Sequence, residues 1–221
     1  TLPGCAAVDC MPCDFNDDGK PDLLVVNCAE NGPHLNPGSL IYWNGEDGFK
    51  ADNHTAVKSL LGHGCALGDF RKSGYLDLVF SGIRNRQILL FEGGPDGYPK
   101  EPKRITFGPE PEKFDPFLWE NEDEDPHYSD EQNKLIAEFG NPRWLFAADF
   151  NGDGWLDLFI SQVGGSHCMI LWGGPEGYSV DRMQELATEH VVTGNAADLD
   201  GDGYLDLILS GFSSSNKEKG G

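Results

Sequence analysis

The chain has 221 residues, 38% of them hydrophobic and 11% aromatic, which is enough for a packed core and too apolar for wholesale disorder. Its 37 acidic residues against 16 basic residues give a formal net charge of −21, which argues against binding to nucleic acid or to an anionic membrane surface. No apolar run approaches the roughly 20 residues that a bilayer crossing requires, so membrane insertion is not expected.

Four related segments organise the chain, and each is built around an aspartate-rich loop. They begin at Asp14, Asp69, Asp149 and Asp198, so their starts lie 55, 80 and 49 residues apart. Repetition at a period of about 50 residues predicts supersecondary units that stack or radiate from an axis.

Each unit has the hydrophobic period of β-strands. After the third loop, Leu156, Leu158 and Ile160 alternate with Asp157 and Phe159. A third strand, a Gly-Gly-Pro-Glu-Gly turn and a fourth segment follow. Four short antiparallel strands per unit are typical of a propeller blade, so we predict an all-β fold of β-propeller blades and treat residues 1–221 as a single β-propeller region.

The first, third and fourth loops follow the pattern D-x-[DN]-x-D-G-x-x-D, in which the first aspartate is position 1. Clustered carboxylates repel one another unless a hard cation lies between them, and calcium prefers six to eight oxygen ligands. Side chains at positions 1, 3, 5 and 9 and the backbone carbonyl of position 7 are the predicted ligands. They are Asp14, Asn16, Asp18, Lys20 and Asp22; Asp149, Asn151, Asp153, Trp155 and Asp157; and Asp198, Asp200, Asp202, Tyr204 and Asp206.

Two other interpretations of these loops exist. An EF-hand needs a bidentate glutamate at position 12 and flanking helices, whereas here position 12 is Val25, Ile160 or Leu209 within a strand pattern. Asx turns, in which the side chains bond their own backbone, explain a single loop well. Three similar copies, each with several aspartates, favour calcium, and we expect about three ions per chain.

The second loop, 69–77, is a natural exception. It keeps Asp69 and Asp77 but has Arg71 and Ser73 at positions 3 and 5. A divalent cation beside an arginine is unfavourable. We therefore predict that this loop holds no calcium and is stabilised by Arg71 or Lys72 instead.

Two segments lie outside the loops. Residues 108–140 form an acidic insertion, either a protruding arm that grips a partner or a solvated loop packed on its blade. Residues 213–221 form a tail that we expect to be flexible.

The six cysteines include Cys10-x-x-Cys13 without a second such pair, which disfavours a zinc site. One or two disulfides in an exported protein are the expectation, with the pairing open.

The aspartate loops and the W-G-G-P-E-G-Y turn resemble the FG-GAP/VCBS class of repeat, the blade unit of integrin α-subunit headpieces and of many bacterial secreted proteins. The full signature that combines Phe-Gly with Gly-Ala-Pro is absent, so the resemblance is to the calcium-loop variety. It implies a propeller that is commonly seven-bladed, with calcium in the hairpin between the first two strands of a blade. Because four loops are fewer than seven blades need, we expect a fragment, a cleaved piece or one part of an assembly, with a further chain or further copies completing the propeller.

The favoured function is a calcium-stabilised extracellular module for binding, adhesion or surface and matrix assembly, with a protein or polysaccharide ligand. Scarce cytosolic calcium favours a secreted or cell-surface location. A polysaccharide lyase is the catalytic alternative, and it would recruit residues such as His34, Tyr42, Arg84, Arg86 and Arg143, although no spacing selects them. A subunit of an extracellular filament is a third hypothesis. No catalytic residue is assigned, and the identity of the ligand, the organism and the number of blades stay open.

Overall fold

The computed structural model of the chain describes residues 1–28, 38–59, 62–82, 86–109, 134, 138, 141–162, 167–188 and 191–211. Most of the acidic insertion 108–140 and the tail 213–221 lie outside these residues, so the predictions made for them are not tested. Within the insertion, Lys134 and Glu138 are helical and exposed. Among the described residues, no helix has the length and apolar character that a bilayer crossing requires.

The structure confirms the all-β prediction. In the described ranges, fourteen strands form three antiparallel sheets of four strands and one sheet of two strands, joined in chain order within every sheet. The first sheet holds β1 (Ala7–Cys13), β2 (Asp22–Asn27), β3 (Ser39–Gly45) and β4 (Gly48–Val57). The second holds β5 (Gly62–Gly68), β6 (Asp77–Gly82), β7 (Gln87–Phe91) and β8 (Lys103–Thr106). The third holds β9 (Pro142–Ala148), β10 (Asp157–Gln162), β11 (His167–Leu171) and β12 (Met183–Ala187), and the fourth holds β13 (Val191–Ala197) and β14 (Asp206–Gly211).

Strand alternation explains how the sheets pack as successive blades. In β6, Leu78 and Phe80 pack in one core with residues of the first sheet, whereas Val79 packs in another core with residues of the third sheet. Adjacent residues of a strand point to opposite faces, so one apolar run serves two interfaces. In β10, Leu158 likewise faces the second sheet and Phe159 faces the fourth.

Close backbone contact joins the first strands of neighbouring blades. A Cβ atom at Gly64 in β5 would lie 2.8 Å from the carbonyl oxygen of Arg143 and 2.9 Å from the Cα of Trp144, both in β9. Real Cβ atoms do not approach backbone atoms this closely, so glycine is required for β5 and β9 to meet.

The six cysteines form no disulfide in the structure, and the expectation of one or two cross-links is therefore not confirmed. Cys28, Cys65 and Cys168 are buried, and Cys65 and Cys168 belong to the apolar clusters between sheets. Burial raises the pKa of the Cys65 and Cys168 thiols, so both behave as small core residues.

Candidate metal centres in the aspartate loops

All four aspartate loops occupy the same place in their sheets. Each connects the first strand of a sheet to the second, and the aspartate at position 9 is the first residue of the second strand. The glycine at position 6 has a positive φ in every loop, between +82° and +92°, at Gly19, Gly74, Gly154 and Gly203. A residue with a Cβ atom is strained at such a φ, which explains why glycine follows position 5.

Positions 1, 3 and 5 are drawn together by the loop backbone. In the third loop, the Asp153 N–H donates to Asp149 Oδ1 at 3.1 Å and to Asn151 Oδ1 at 2.9 Å, and the Gly154 N–H donates to Asp149 Oδ2 at 2.8 Å. The Trp155 N–H donates to Asp153 Oδ1 at 2.8 Å. The Asx-turn bonds are therefore present, and they bring Asp149 Oδ1 and Asn151 Oδ1 to the same N–H group.

The same network recurs in the other two loops of the motif. In the first loop, the Asp18 N–H lies 3.1 Å from both Asp14 Oδ1 and Asn16 Oδ1, and the Lys20 N–H donates to Asp18 Oδ1 at 2.9 Å. In the fourth loop, the Asp202 N–H lies 3.1 Å from both Asp198 Oδ1 and Asp200 Oδ1. The repeated sequence thus gives a repeated hydrogen-bond network.

The donor set of these loops fits a hard cation. In the fourth loop, one carboxylate oxygen from each of Asp198, Asp200 and Asp206 lies within 4.8 Å of the others. The ion pairs found among the described residues give the carboxylates of the first, third and fourth loops no lysine or arginine partner. Several carboxylates without an ion-pair partner, joined by an amide oxygen in the first and third loops, are the chemistry that calcium satisfies.

The aspartate at position 9 has a second task that the sequence did not reveal. Asp157 is fully buried, and its Oδ2 accepts the Phe150 N–H at 2.9 Å while its Oδ1 accepts the Gly173 N–H at 2.7 Å. It therefore ties the loop to the turn that follows β11. Asp22 makes the equivalent bonds with the N–H groups of Phe15 and Asn44, at 3.1 and 2.8 Å.

This burial is electrostatically costly without a cation. Burial raises the pKa of the Asp157 carboxyl, hydrogen bonds from Gly173 and Phe150 oppose the rise, and the charges of Asp153 and Asp149 add to it. A bound divalent cation would remove that repulsion and hold the carboxylate ionised.

Glycines at the turn after the third strand were missed as part of the site. A Cβ atom would lie 2.1 Å from the Leu76 carbonyl oxygen at Gly93, and 2.3 Å from the Leu156 carbonyl oxygen at Gly173. The aspartate loop therefore rests directly on the backbone of this turn. The recurring Gly-Gly-Pro sequence was the available signal, but alone it indicated only a turn.

In the second loop, the guanidinium of Arg71 binds the aspartate at position 9 and the turn after the third strand. Arg71 Nη2 lies 2.8 Å from Asp77 Oδ1 and 2.6 Å from the Gly93 carbonyl oxygen, and Arg71 Nε lies 3.2 Å from both Asp77 oxygens. Asp77 keeps the structural bond of its position by accepting the Gly93 N–H at 2.8 Å. Burial opposes ionisation of Asp69, but hydrogen bonds from Gly74 and Ser73 and the charge of Arg71 lower the pKa of its carboxyl. Of the two predicted stabilisers, Arg71 is the one that contacts a carboxylate of the loop, that of Asp77.

Lys72 instead reaches the neighbouring blade. Its Nζ lies 4.1 Å from the ring centroid of Trp155, at position 7 of the third loop. This cation–π contact links two loops that are far apart in sequence, and the loop motif alone gave no sign of it.

Two of the residues considered for catalysis, Tyr42 and Arg86, lie in the described part of the chain with structural partners. Tyr42 is fully buried and donates to the Pro3 carbonyl oxygen, and burial raises the pKa of its hydroxyl. Arg86 is buried and donates to the carbonyl oxygens of Phe107 and Pro109. Both therefore serve the fold, whereas His34 and Arg84 lie outside the described residues.

Comparison with solved structures shows the fold. The structure of BBS1N in complex with ARL6DN, soaked with mercury, matches with a TM-score of 0.54 and 11% identity over 94% of this chain and 52% of that chain. An Agrocybe aegerita lectin, solved for its specific recognition of non-reducing terminal N-acetylglucosamine, matches with a TM-score of 0.51 and 18% identity over 92% of this chain and 47% of that chain. This chain thus spans about half the length of either structure.

Comparison of the sequence with curated proteins found no significant match. The model of the FG-GAP-like repeat matches residues 14–80, which contain the first two aspartate loops and the strands between them. The resemblance drawn from the loop motif is confirmed over this segment, and the chain carries an FG-GAP-like repeat in a β-propeller-like fold.

Proposed function

We propose that this protein is a calcium-stabilised extracellular β-propeller module that binds a macromolecular partner in adhesion or in surface or matrix assembly. The observation that carries the proposal is the threefold recurrence of one aspartate loop with the same hydrogen-bond network, at residues 14–22, 149–157 and 198–206, in the first hairpin of its sheet. FG-GAP repeats generally bind calcium, and the oxygens present in each loop suit that ion.

Calcium would act on stability rather than on chemistry. Each cluster lies in a hairpin whose position 9 aspartate also accepts a backbone N–H from its own loop. An ion that binds the folded loop and not the unfolded chain stabilises the protein by mass action. Such a protein is most stable where free calcium is millimolar, which supports a secreted or cell-surface location.

The fold and the charge support a binding role. Propeller-like structures similar to this chain include one in complex with ARL6 and one that recognises N-acetylglucosamine. We therefore expect a protein or polysaccharide ligand. The net charge of −21 disfavours polyanionic ligands such as nucleic acid.

We further propose that additional blades, from a further chain or further copies, complete a ring of about seven. On β14 and the loop before it, Ile208 is 44% exposed and Leu205 is 38% exposed. At the corresponding place in the third sheet, Phe159 is fully buried against the fourth sheet. A neighbouring blade would cover Ile208 in the same way.

Calcium titration followed by calorimetry tests the proposal. Dialysed protein should bind calcium at three sites, and its midpoint of thermal unfolding should rise with calcium and fall again with chelator. The variant Asp149→Ala should lose one site, whereas Glu176→Ala, an acid outside the loops, should keep all three. Absence of calcium binding at millimolar concentration would refute the proposal.

A further inference from the structure

Position 7 of the loops carries a row of aromatic side chains with no place in the core. Tyr75, Trp155 and Tyr204 hold this position in three successive blades, and we name them the aromatic ridge. Tyr75 is 43% exposed, Tyr204 is 72% exposed and Trp155 is half-buried. Because the four loops join the same two strands of their sheets and share a positive φ at positions 4 and 6, the ridge follows one end of the blades.

The protein itself shows what binds such a ring. Lys72, at position 4 of the second loop, places its Nζ 4.1 Å from the Trp155 ring centroid of the next blade. The spacing between blades therefore allows a lysine from one loop to reach the ring of the next.

The equivalent contact is missing one blade further on. Position 4 of the third loop is Gly152, which has no side chain to extend over Tyr204. Among the described residues, the lysine contact with Trp155 is the cation–π contact found on the ridge. Tyr204 thus presents an open face where Trp155 has a bound ammonium group.

The charge around the open ring also favours a cation. The fourth loop carries four aspartates, Asp198, Asp200, Asp202 and Asp206, so a bound calcium would neutralise only half of their formal charge. The whole chain is strongly acidic. Long-range attraction would therefore steer a positively charged segment toward this surface.

We propose that the aromatic ridge binds a basic segment of a protein partner, with a lysine or arginine of that segment over the Tyr204 ring. The inference rests on the proposed function, since it names the partner chemistry of the same module. An exposed cation–π contact contributes about 0.5–1 kcal/mol, which corresponds to a two- to fivefold change in affinity per ring.

Fluorescence polarisation with labelled peptides tests this binding in calcium-containing buffer of physiological ionic strength. The probes are one peptide of alternating lysine and glycine and two matched peptides with glutamine or glutamate in place of lysine. We expect the lysine peptide alone to bind. Tyr204→Ala should weaken its binding two- to fivefold, and Tyr204→Phe should retain it; Leu199→Ala, which removes an exposed apolar side chain of the same loop, is the matched control.

Two variants outside the ridge give opposite expectations. Gly152→Lys should cover Tyr204 from within the chain and weaken peptide binding, and the positive φ of Lys72 shows that lysine is tolerated at this loop position. Lys72→Ala should uncover Trp155 and strengthen binding. The proposal would be overturned if the three peptides bound with equal affinity, or if a neutral oligosaccharide bound and the peptides did not. It would also be overturned if neither variant changed the affinity for the lysine peptide.

The calcium content of the same samples separates this inference from the proposed function. Three calcium ions per chain with no selective peptide binding would refute the aromatic ridge alone. Selective binding of the lysine peptide by a protein that takes up no calcium would refute calcium stabilisation alone.

Discussion

Replacing Asp157 by alanine separates the structural task of position 9 from calcium binding. The change leaves the N–H groups of Phe150 and Gly173 without their acceptor at a fully buried position. An unsatisfied buried donor costs about 1–3 kcal/mol, so two donors cost about 2–6 kcal/mol. Removal of a buried carboxylate with a raised pKa offsets part of this, and we expect a net loss of about 2–4 kcal/mol in free energy of unfolding.

Urea unfolding in chelator, followed by tryptophan fluorescence, measures this loss without any contribution from calcium. Asp153→Ala is the matched control, because Asp153 is exposed and its removal should cost about 0.5 kcal/mol or less under the same conditions. Asp157→Asn keeps one acceptor oxygen and should lie between the two. Equal stability of Asp157→Ala and Asp153→Ala in chelator would show that position 9 acts through the metal alone, and our reasoning would be wrong.

Three further predictions concern other parts of the fold. Arg71→Asn combined with Ser73→Asp restores the loop motif and should add one calcium site, measured by native mass spectrometry. Arg71→Asn alone should lower the free energy of unfolding in urea by about 3 kcal/mol, because Asp77 stays buried without its partner. Burial and the nearby charge of Arg143 lower the pKa of His63 from 6.5 to about 4, so the stability that neutral His63 contributes is present above pH 6.5 and is lost as the pH falls toward 4. His63→Phe should therefore flatten the pH dependence of the urea midpoint between pH 6.5 and 4. An unchanged pH dependence would show that His63 does not cause it. Gly64→Ala should cost about 1–3 kcal/mol in thermal unfolding because it forces β5 and β9 apart, while Gly97→Ala, which meets no neighbouring atom, should show the strain of a positive φ alone.

The hairpins and their loops could be predicted because their causes are local. An aspartate pattern with glycine at position 6, followed by alternating apolar residues, determines a turn and a strand over a dozen residues. The contacts of Lys72 with Trp155 and of Asp157 with Gly173 could not be predicted in this way. They join residues that are distant in sequence, and they depend on how blades and turns pack rather than on any motif.

In the second loop, the sequence predicts a cation near Asp69, and the fold determines which cation it is. Charge alone predicts that Arg71 or Lys72 replaces the cation, since both follow Asp69 closely. Only the fold distinguishes them: the Arg71 guanidinium turns back onto Asp77 and the Gly93 carbonyl oxygen, whereas Lys72, with a positive φ, extends toward the next blade.

Native mass spectrometry with and without chelator is the sharpest test of calcium binding by the aspartate loops. We predict three calcium ions bound per chain, removed by chelator, with the Asp69 loop unfilled and with a fourth ion in the Arg71→Asn, Ser73→Asp variant. A protein that binds no calcium would contradict the assignment of the three loops as calcium sites, and one that binds a fourth ion without that change would contradict the prediction for the Asp69 loop.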